Sequence, residues 1–170
     1  MTVETSVSLQ LTDAEATTAF GRQLAGVLRA GDLVILTGDL GAGKTTLTQG
    51  IGDGLGVRGR VASPTFIIAR EHQPVGAGPG LIHVDAYRLT SIAEVDALDL
   101  DSSLEESVTV VEWGAGLVEG LAQDRLEIHL ERPRGGTAAE AGEDQPRRVQ
   151  LRPVGQRWTG VDLGALAPHA

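Results

Sequence analysis

Gly38-Asp39-Leu40-Gly41-Ala42-Gly43-Lys44-Thr45 matches the complete Walker A pattern, G-x-x-x-x-G-K-[ST]. An aliphatic run at residues 33–36 precedes it and is typical of a buried strand, and apolar residues at near-helical spacing follow from Thr46. Strand, glycine loop and helix in that order allow backbone N–H groups to surround phosphate oxygens. The sequence therefore predicts a site for a nucleotide triphosphate, with the Lys44 ammonium at the β- and γ-phosphates and the Thr45 hydroxyl on Mg²⁺.

The composition is that of an acidic chain without cysteine. Of its 170 residues 41% are hydrophobic but only 3% aromatic, so the core must be largely aliphatic. The absence of cysteine excludes disulfides, thiolate metal sites and a thiol nucleophile. A formal net charge of −9 argues against direct binding of nucleic acid, because affinity for the phosphate backbone comes from Lys and Arg. The sequence contains no stretch of membrane-spanning length and no signal-peptide pattern, so we expect a cytoplasmic protein without membrane contact.

The hydrophobic pattern predicts strands and helices in alternation. Apolar residues at helical spacing after the candidate N-caps Thr12 and Asp13 indicate a first helix, and residues 92–98 indicate another short one. This alternation predicts a P-loop NTPase-like three-layer α/β fold, in which a mixed, mostly parallel sheet has helices on both faces and an antiparallel edge. The predicted strands cover residues 7–11, 33–36, 65–70, 81–85, 108–112, 126–130 and 148–151.

The predicted domain organisation is simple. We expect one P-loop domain over residues 1–152. Within it, residues 133–146 are rich in Gly, Ala and acidic residues, a composition that predicts a flexible hairpin insert. Residues 153–170 carry little periodicity, so we expect a C-terminal tail there.

Two predicted strands end in an acidic residue, Asp85 and Glu112. A P-loop enzyme places a carboxylate at the end of a neighbouring strand, close to Mg²⁺. A solvated strand end gives the same pattern for either acid alone, but beside a Walker A loop we expect at least one to be functional. One acid would lie in the Mg²⁺ shell and the other would orient the attacking water or sense the γ-phosphate.

Polar residues also accumulate in two segments between the predicted elements. Ser63 or Thr65 could reach the γ-phosphate as in P-loop switch proteins, although a turn with Pro64 at a strand start gives the same sequence. Residues 83–89 hold a histidine, an aspartate, a tyrosine and an arginine, but His83 could equally be a hydrogen-bonded strand residue. Trp113, directly after Glu112, could belong to the core or to a contact surface.

Taken together, the motifs resemble one family, TsaE (also called YjeE), the small P-loop ATPases of bacterial tRNA threonylcarbamoyladenosine synthesis. Their order and spacing agree with that family over about residues 11–151, whereas the insert and the tail lie outside the matched region. The form Gly-Asp-Leu-Gly-Ala-Gly-Lys-Thr is far more specific than a bare Walker A pattern. The segments that carry the resemblance are residues 38–46, 63–66, 83–89 and 112–113.

The resemblance implies a partner-driven activity. The protein would bind ATP and Mg²⁺, hydrolyse ATP slowly alone, and act with the TsaD–TsaB heterodimer, in which TsaD transfers a threonylcarbamoyl group to the adenosine beside the anticodon. ATP binding and hydrolysis would drive or reset the transferase. Contact with tRNA would be indirect, through that complex, which agrees with the acidic charge.

The resemblance also implies residue roles. Thr45 and Glu112 resemble Mg²⁺ ligands, Lys44 and Glu112 catalytic residues, and Asp85 a second catalytic acid that positions water. The implied switch and partner residues are Ser63, Thr65, Tyr87 and Trp113. The implied nucleotide-binding residues are Asp39, Leu40, Gly41, Ala42, Gly43, Lys44, Thr45, Thr46 and Arg147.

Other classes of P-loop protein fit less well. A GTPase reads guanine with an Asn-Lys-x-Asp segment, and this chain contains no asparagine. A small-molecule kinase is the main alternative, because the P-loop, the second acid and the chain length all suit one; arginines flank the insert, but no substrate-binding segment is evident. A nucleotide-binding regulator without hydrolysis would need neither Asp85 nor Glu112.

Overall fold

The structure is a computed structural model, and it describes residues 6–38, 43–57, 69–76, 78–85, 105–112, 124–131 and 147–166. The helices are α1 (Ala14–Ala25) and α2 (Lys44–Leu55). The strands are β1 (Val7–Leu11), β2 (Leu33–Gly38), β3 (Ala69–His72), β4 (Gly80–Asp85), β5 (Ser107–Glu112), β6 (Arg125–Glu131) and β7 (Arg147–Val154). None of the described helices combines the length and apolar character needed to cross a membrane.

The strands form one seven-stranded sheet in the order β1-β7-β6-β2-β5-β4-β3. The four central strands, β6, β2, β5 and β4, are parallel, so their carboxyl ends lie at one edge of the sheet. β7 and β1 continue the sheet antiparallel on one side, and β3 pairs antiparallel with β4 on the other. The predicted mixed, mostly parallel sheet with an antiparallel edge is confirmed, and β3 adds a second antiparallel edge. The strand predicted over residues 65–70 is described only from Ala69 and runs on to His72.

Helix α1 begins where the sequence predicted. The Asp13 side chain accepts a hydrogen bond from the Ala16 N–H at 2.7 Å, which satisfies one of the free N–H groups of the first turn. The helix then buries Phe20 and Leu24 in the core. These apolar side chains anchor α1 on the same core cluster as the strands.

Helix α2 packs against α1 with almost no space between the backbones. A Cβ atom at Gly50 would lie 2.3 Å from the Thr18 carbonyl oxygen, and one at Gly21 would lie 2.6 Å from the Leu47 carbonyl oxygen. At the helix surface the Arg22 Nε lies 2.5 Å from Asp53 Oδ2. This close contact fixes α2, whose first residue is the Walker A lysine.

Both faces of β2 and β5 are buried over most of their length. On the face that carries α1 and α2, Val34 and Leu36 of β2 join the core cluster. On the opposite face, Leu33 and Ile35 of the same strand are also buried, and β5 is buried along its whole length. This pattern is that of the central layer of a three-layer fold. The helix predicted over residues 92–98 and the insert over residues 133–146 lie outside the described residues.

The expected C-terminal tail is wrong for residues 153–166. β7 runs to Val154, and a 3-10 helix at Gln156–Trp158 is followed by another at Leu163–Leu166. Trp158 is 1% exposed and joins the core cluster together with Leu163 and Leu166. Short 3-10 helices show neither the helical nor the strand period, so the periodicity of the sequence did not reveal them.

Candidate nucleotide and metal site

The end of the glycine loop requires a glycine at residue 43. Gly43 is the N-cap of α2 and has φ 106° and ψ 16°, a left-handed conformation that residues with a Cβ rarely adopt. A Cβ atom there would also lie 3.0 Å from Arg147 Nε. Backbone and surroundings therefore both explain this Walker A glycine.

Lys44 is the first residue of α2 and is buried, with only 5% of its surface exposed. Its Nζ donates to the carbonyl oxygen of Gly38, the last residue of β2, at 2.8 Å. The Lys44 carbonyl in turn accepts a hydrogen bond from the Thr48 hydroxyl at 2.8 Å. The ammonium is thus held between the carboxyl end of β2 and the N-terminus of α2, where the helix dipole also attracts anions.

Thr45 and Glu112 come together at the same edge of the sheet. The Thr45 hydroxyl lies 3.3 Å from Glu112 Oε1, although the two residues are 67 positions apart. Glu112 is the last residue of β5, is 4% exposed, and pairs with Leu36 of β2 in the parallel register. The topology of the central strands therefore places a buried carboxylate beside the first turn of α2.

Glu112 has a second partner, His83 of β4. The His83 Nε2 forms a short hydrogen bond with Glu112 Oε2, and the His83 ring is fully buried. The sequence left His83 without a role beyond that of a strand residue. Its spacing of two from Asp85 was the available signal, because residues two apart share one face of a strand.

Asp85 is the last residue of β4, and the parallel register pairs it with Glu112 of β5. The backbone therefore places both candidate acids at adjacent strand ends.

Arg147 begins β7 and is 4% exposed. Its Nε and Cδ would lie 3.0 Å and 3.2 Å from a Cβ atom at Gly43, so its side chain lies against the end of the glycine loop. The antiparallel strand next to β6 thus carries an arginine to the candidate site. Thr46, the third residue of α2, is partly buried nearby in the first helical turn.

The remaining predicted site residues lie outside the described residues. They are Asp39, Leu40, Gly41, Ala42, Ser63, Thr65, Tyr87 and Trp113.

The oxygen atoms at the site suit Mg²⁺, which prefers hydroxyl, carboxylate, phosphate and water oxygens. Within the described residues, no three or more His, Cys, Asp or Glu side chains form a cluster that could hold a metal. A metal held by one hydroxyl, one carboxylate and substrate phosphates needs no such cluster. The Thr45–Glu112 pair therefore fits the ion that the sequence resemblance implies.

Strand, glycine loop and helix, a buried lysine at the helix N-terminus and a carboxylate at the neighbouring strand end define a P-loop α/β protein. A family model described as "Threonylcarbamoyl adenosine biosynthesis protein TsaE" matches residues 11–139. The chain therefore belongs to the TsaE family, which confirms the resemblance seen in its motifs.

Individual relatives agree with this assignment. A Streptomyces coelicolor protein named "tRNA threonylcarbamoyladenosine biosynthesis protein TsaE" is 57% identical over 148 residues, which cover 86% of this chain and 97% of the relative. A Bacillus subtilis protein of the same name is 39% identical, with coverage of 85% and 84%. The crystal structure of YdiB from Bacillus subtilis superposes with a TM-score of 0.69 at 31% identity, covering 94% of this chain and 92% of that one.

Proposed function

We propose that this protein is a Mg²⁺-dependent ATPase that acts with the TsaD–TsaB heterodimer in the N6-threonylcarbamoyladenosine modification of tRNA. The observation that carries the ATPase assignment is the convergence of Lys44, Thr45 and Glu112 at the end of the glycine loop, with the Thr45 hydroxyl 3.3 Å from the Glu112 carboxylate. Family membership supports the pathway, because the relatives are named for threonylcarbamoyladenosine biosynthesis.

In this proposal Lys44 binds the phosphates of ATP. Its ammonium lies at the N-terminus of α2, so its charge and the helix dipole act on the same anion. On nucleotide binding, Nζ exchanges the Gly38 carbonyl for phosphate oxygens. Arg147, which lies against Gly43, adds a second positive charge beside the loop.

Thr45 and Glu112 hold the metal in this proposal. When bound, Mg²⁺ neutralises charge that develops on the phosphate oxygens. The Thr45 hydroxyl and Glu112 Oε1 already face each other, so binding requires little rearrangement of these two groups. Asp85, at the adjacent strand end, orients the attacking water.

In this proposal the TsaD–TsaB heterodimer performs the modification chemistry. ATP hydrolysis by this protein resets the heterodimer. The net charge of −9 makes a direct grip on tRNA unfavourable, so the protein reaches tRNA only through the complex. The whole cycle takes place in the cytoplasm.

Turnover of ATP tests the activity directly. We expect slow release of phosphate by the purified protein with Mg²⁺, and a clear increase when the TsaD–TsaB heterodimer is added. No turnover in the presence of the heterodimer would contradict the proposal. Transfer of labelled γ-phosphate to a small metabolite rather than to water would favour the small-molecule kinase instead.

The composition allows a second test of nucleotide binding. Lys44 is the only lysine in the chain, so protein labelled with ¹³C in lysine gives the signals of one side chain. We expect the Lys44 Cε signal to shift on addition of Mg·ATP and to stay in place with adenosine, which has no phosphates. If ATP binds and the Lys44 Cε signal does not shift, Lys44 does not contact the phosphates.

A further inference from the structure

The Glu112 carboxylate has different neighbours on its two oxygens. Oε1 lies 3.3 Å from the Thr45 hydroxyl, whereas Oε2 is hydrogen-bonded to His83 Nε2. Without a partner on Oε2, the carboxylate would be free to turn about its last torsion, which is broad for Glu. The bond to His83 therefore holds the carboxylate plane in one orientation, in which the other oxygen faces Thr45.

The sheet holds this histidine in place. β4 and β5 pair in parallel from Gly80 with Ser107 to Asp85 with Glu112, and His83 pairs with Val110 within that ladder. His83 thus lies on the same face as Glu112, one strand away and two residues before the strand end. From that position the far nitrogen of an imidazole, Nε2, reaches the carboxylate.

The hydrogen bonds of the His83 ring also indicate that its role is to bind Glu112. An ionised carboxylate can only accept, so Nε2 carries the hydrogen of this bond. Nδ1, on the other side of the ring, is buried and has no hydrogen-bond partner among the described residues. An aliphatic side chain would fill this fully buried position without leaving a polar atom unpaired. The bond to Glu112 is the feature that accounts for a histidine here.

We propose that His83 is a positioning residue that orients Glu112 toward Thr45 for Mg²⁺ binding. This inference rests on the proposed function, because it concerns the same metal site. Hydrogen-bond partners of metal-binding side chains commonly change metal affinity by about 10- to 100-fold when they are removed. His83 touches neither the nucleotide nor the water in this proposal and acts only through Glu112.

The experiment compares His83→Leu with His83→Gln. Leu removes the donor and keeps an apolar filling, whereas Gln retains an N–H donor near the position of Nε2. The readout is the affinity for a non-hydrolysable ATP analogue, measured with Mg²⁺ and again with EDTA, and the ratio of the two. We expect His83→Leu to reduce this ratio by about 10-fold or more while the affinity in EDTA is unchanged, and His83→Gln to stay close to the wild type.

His72→Leu is the matched control. His72 is also a buried strand histidine, at 5% exposed, but it lies in β3 and pairs with Leu81, at the end of β4 away from the site. The ratio for His72→Leu should equal that of the wild type. If His83→Leu does not fold, His83→Asn replaces it, because its shorter side chain cannot reach Oε2, and the same loss is expected.

Two results would overturn the inference alone: a wild-type ratio in folded His83→Leu or His83→Asn, or an equal loss in the Gln and Leu variants, which indicates a packing role. A wild-type protein whose affinity for the analogue does not depend on Mg²⁺ would instead overturn the proposed metal site, and the inference with it.

Discussion

The parallel strands have a cluster of charged groups at each end, and the two clusters are built differently. At the amino end, the Asp32 carboxylate accepts from Arg157 Nε at 2.9 Å and from Arg157 Nη2 at 3.0 Å. Asp32 also accepts from the Arg29 N–H at 2.8 Å, and Arg157 donates to the Val27 carbonyl at 2.6 Å. We call the Asp32–Arg157 pair and these contacts the amino-end clamp.

The carboxyl-end cluster consists of Lys44, Thr45, His83 and Glu112. It brings a hydroxyl, a carboxylate, an imidazole and an ammonium to the end of a glycine loop. Its Thr45–Glu112 contact, at 3.3 Å, is longer than the contacts in the clamp. In the amino-end clamp a planar guanidinium matches a planar carboxylate in two parallel bonds, a geometry that satisfies both charges within the protein.

The difference between the two clusters indicates that one contributes to stability and the other to ligand binding. A matched pair that joins the start of β2 to the segment after β7 should contribute to the free energy of unfolding. Groups that converge on a glycine loop should instead contribute to ligand affinity. Substitutions at the amino end should therefore lower the free energy of unfolding and leave nucleotide binding unchanged. Substitutions at the carboxyl end should weaken nucleotide binding and leave the free energy of unfolding nearly unchanged.

Lys44→Ala should have the largest effect on function. It removes the only ammonium side chain in the protein, and with it the charge placed for the phosphates. We expect heterodimer-stimulated ATP turnover to fall by about 10³-fold or more, with little change in the midpoint of urea unfolding. The matched control is Arg152→Ala, which also removes a positive charge, but from an exposed position on β7. Equal losses in the two variants would contradict the division between the two ends.

Asp32→Ala should have the largest effect on stability. It leaves the largely buried Arg157 guanidinium without its carboxylate, and breaking such a pair from one side typically costs about 3 kcal/mol. Urea unfolding should show this loss, whereas the affinity of the folded protein for Mg·ATP should not change. Asp162→Ala is the control, because among the described residues the Asp162 side chain accepts only one hydrogen bond, an exposed one from the Gly164 N–H. A weakened ATP affinity in folded Asp32→Ala would show that the clamp also shapes the site.

More of the carboxyl-end site than of the amino-end clamp could be predicted from the sequence. The Walker A pattern names Lys44 and Thr45 directly, and a hydrophobic run ending in an acid points to Glu112. Even so, the contact between Glu112 and His83 depends on the lateral order of β5 and β4, which no local pattern encodes. The role of His83 could be recognised only after the register was known.

The amino-end clamp was not predictable in the same way. Asp32 and Arg157 lie 125 residues apart, and their pairing requires β7 to run antiparallel beside β6 so that the chain returns to the start of β2. Trp158, against whose ring Arg157 packs at 4.4 Å, sits in a 3-10 helix without a recognisable period. A long-range pair and an aperiodic segment leave no signal in hydrophobic spacing.

Of the three substitutions, Gly50→Ala should have the smallest effect, and it should lower both stability and Mg·ATP affinity. The added methyl group would meet the Thr18 carbonyl oxygen at 2.3 Å, so α1 and α2 must move apart, at a cost of about 1–3 kcal/mol in the free energy of unfolding. Because α2 begins with Lys44, this movement should also weaken Mg·ATP binding measurably, but far less than Lys44→Ala does. Gly76→Ala is the control, since a Cβ atom there would meet no atom of the described residues within 4 Å. If Gly50→Ala lowered stability and left ATP affinity at the wild-type value, the glycine loop would hold its geometry independently of the α1–α2 contact, and the separation between the two ends would be sharper than proposed.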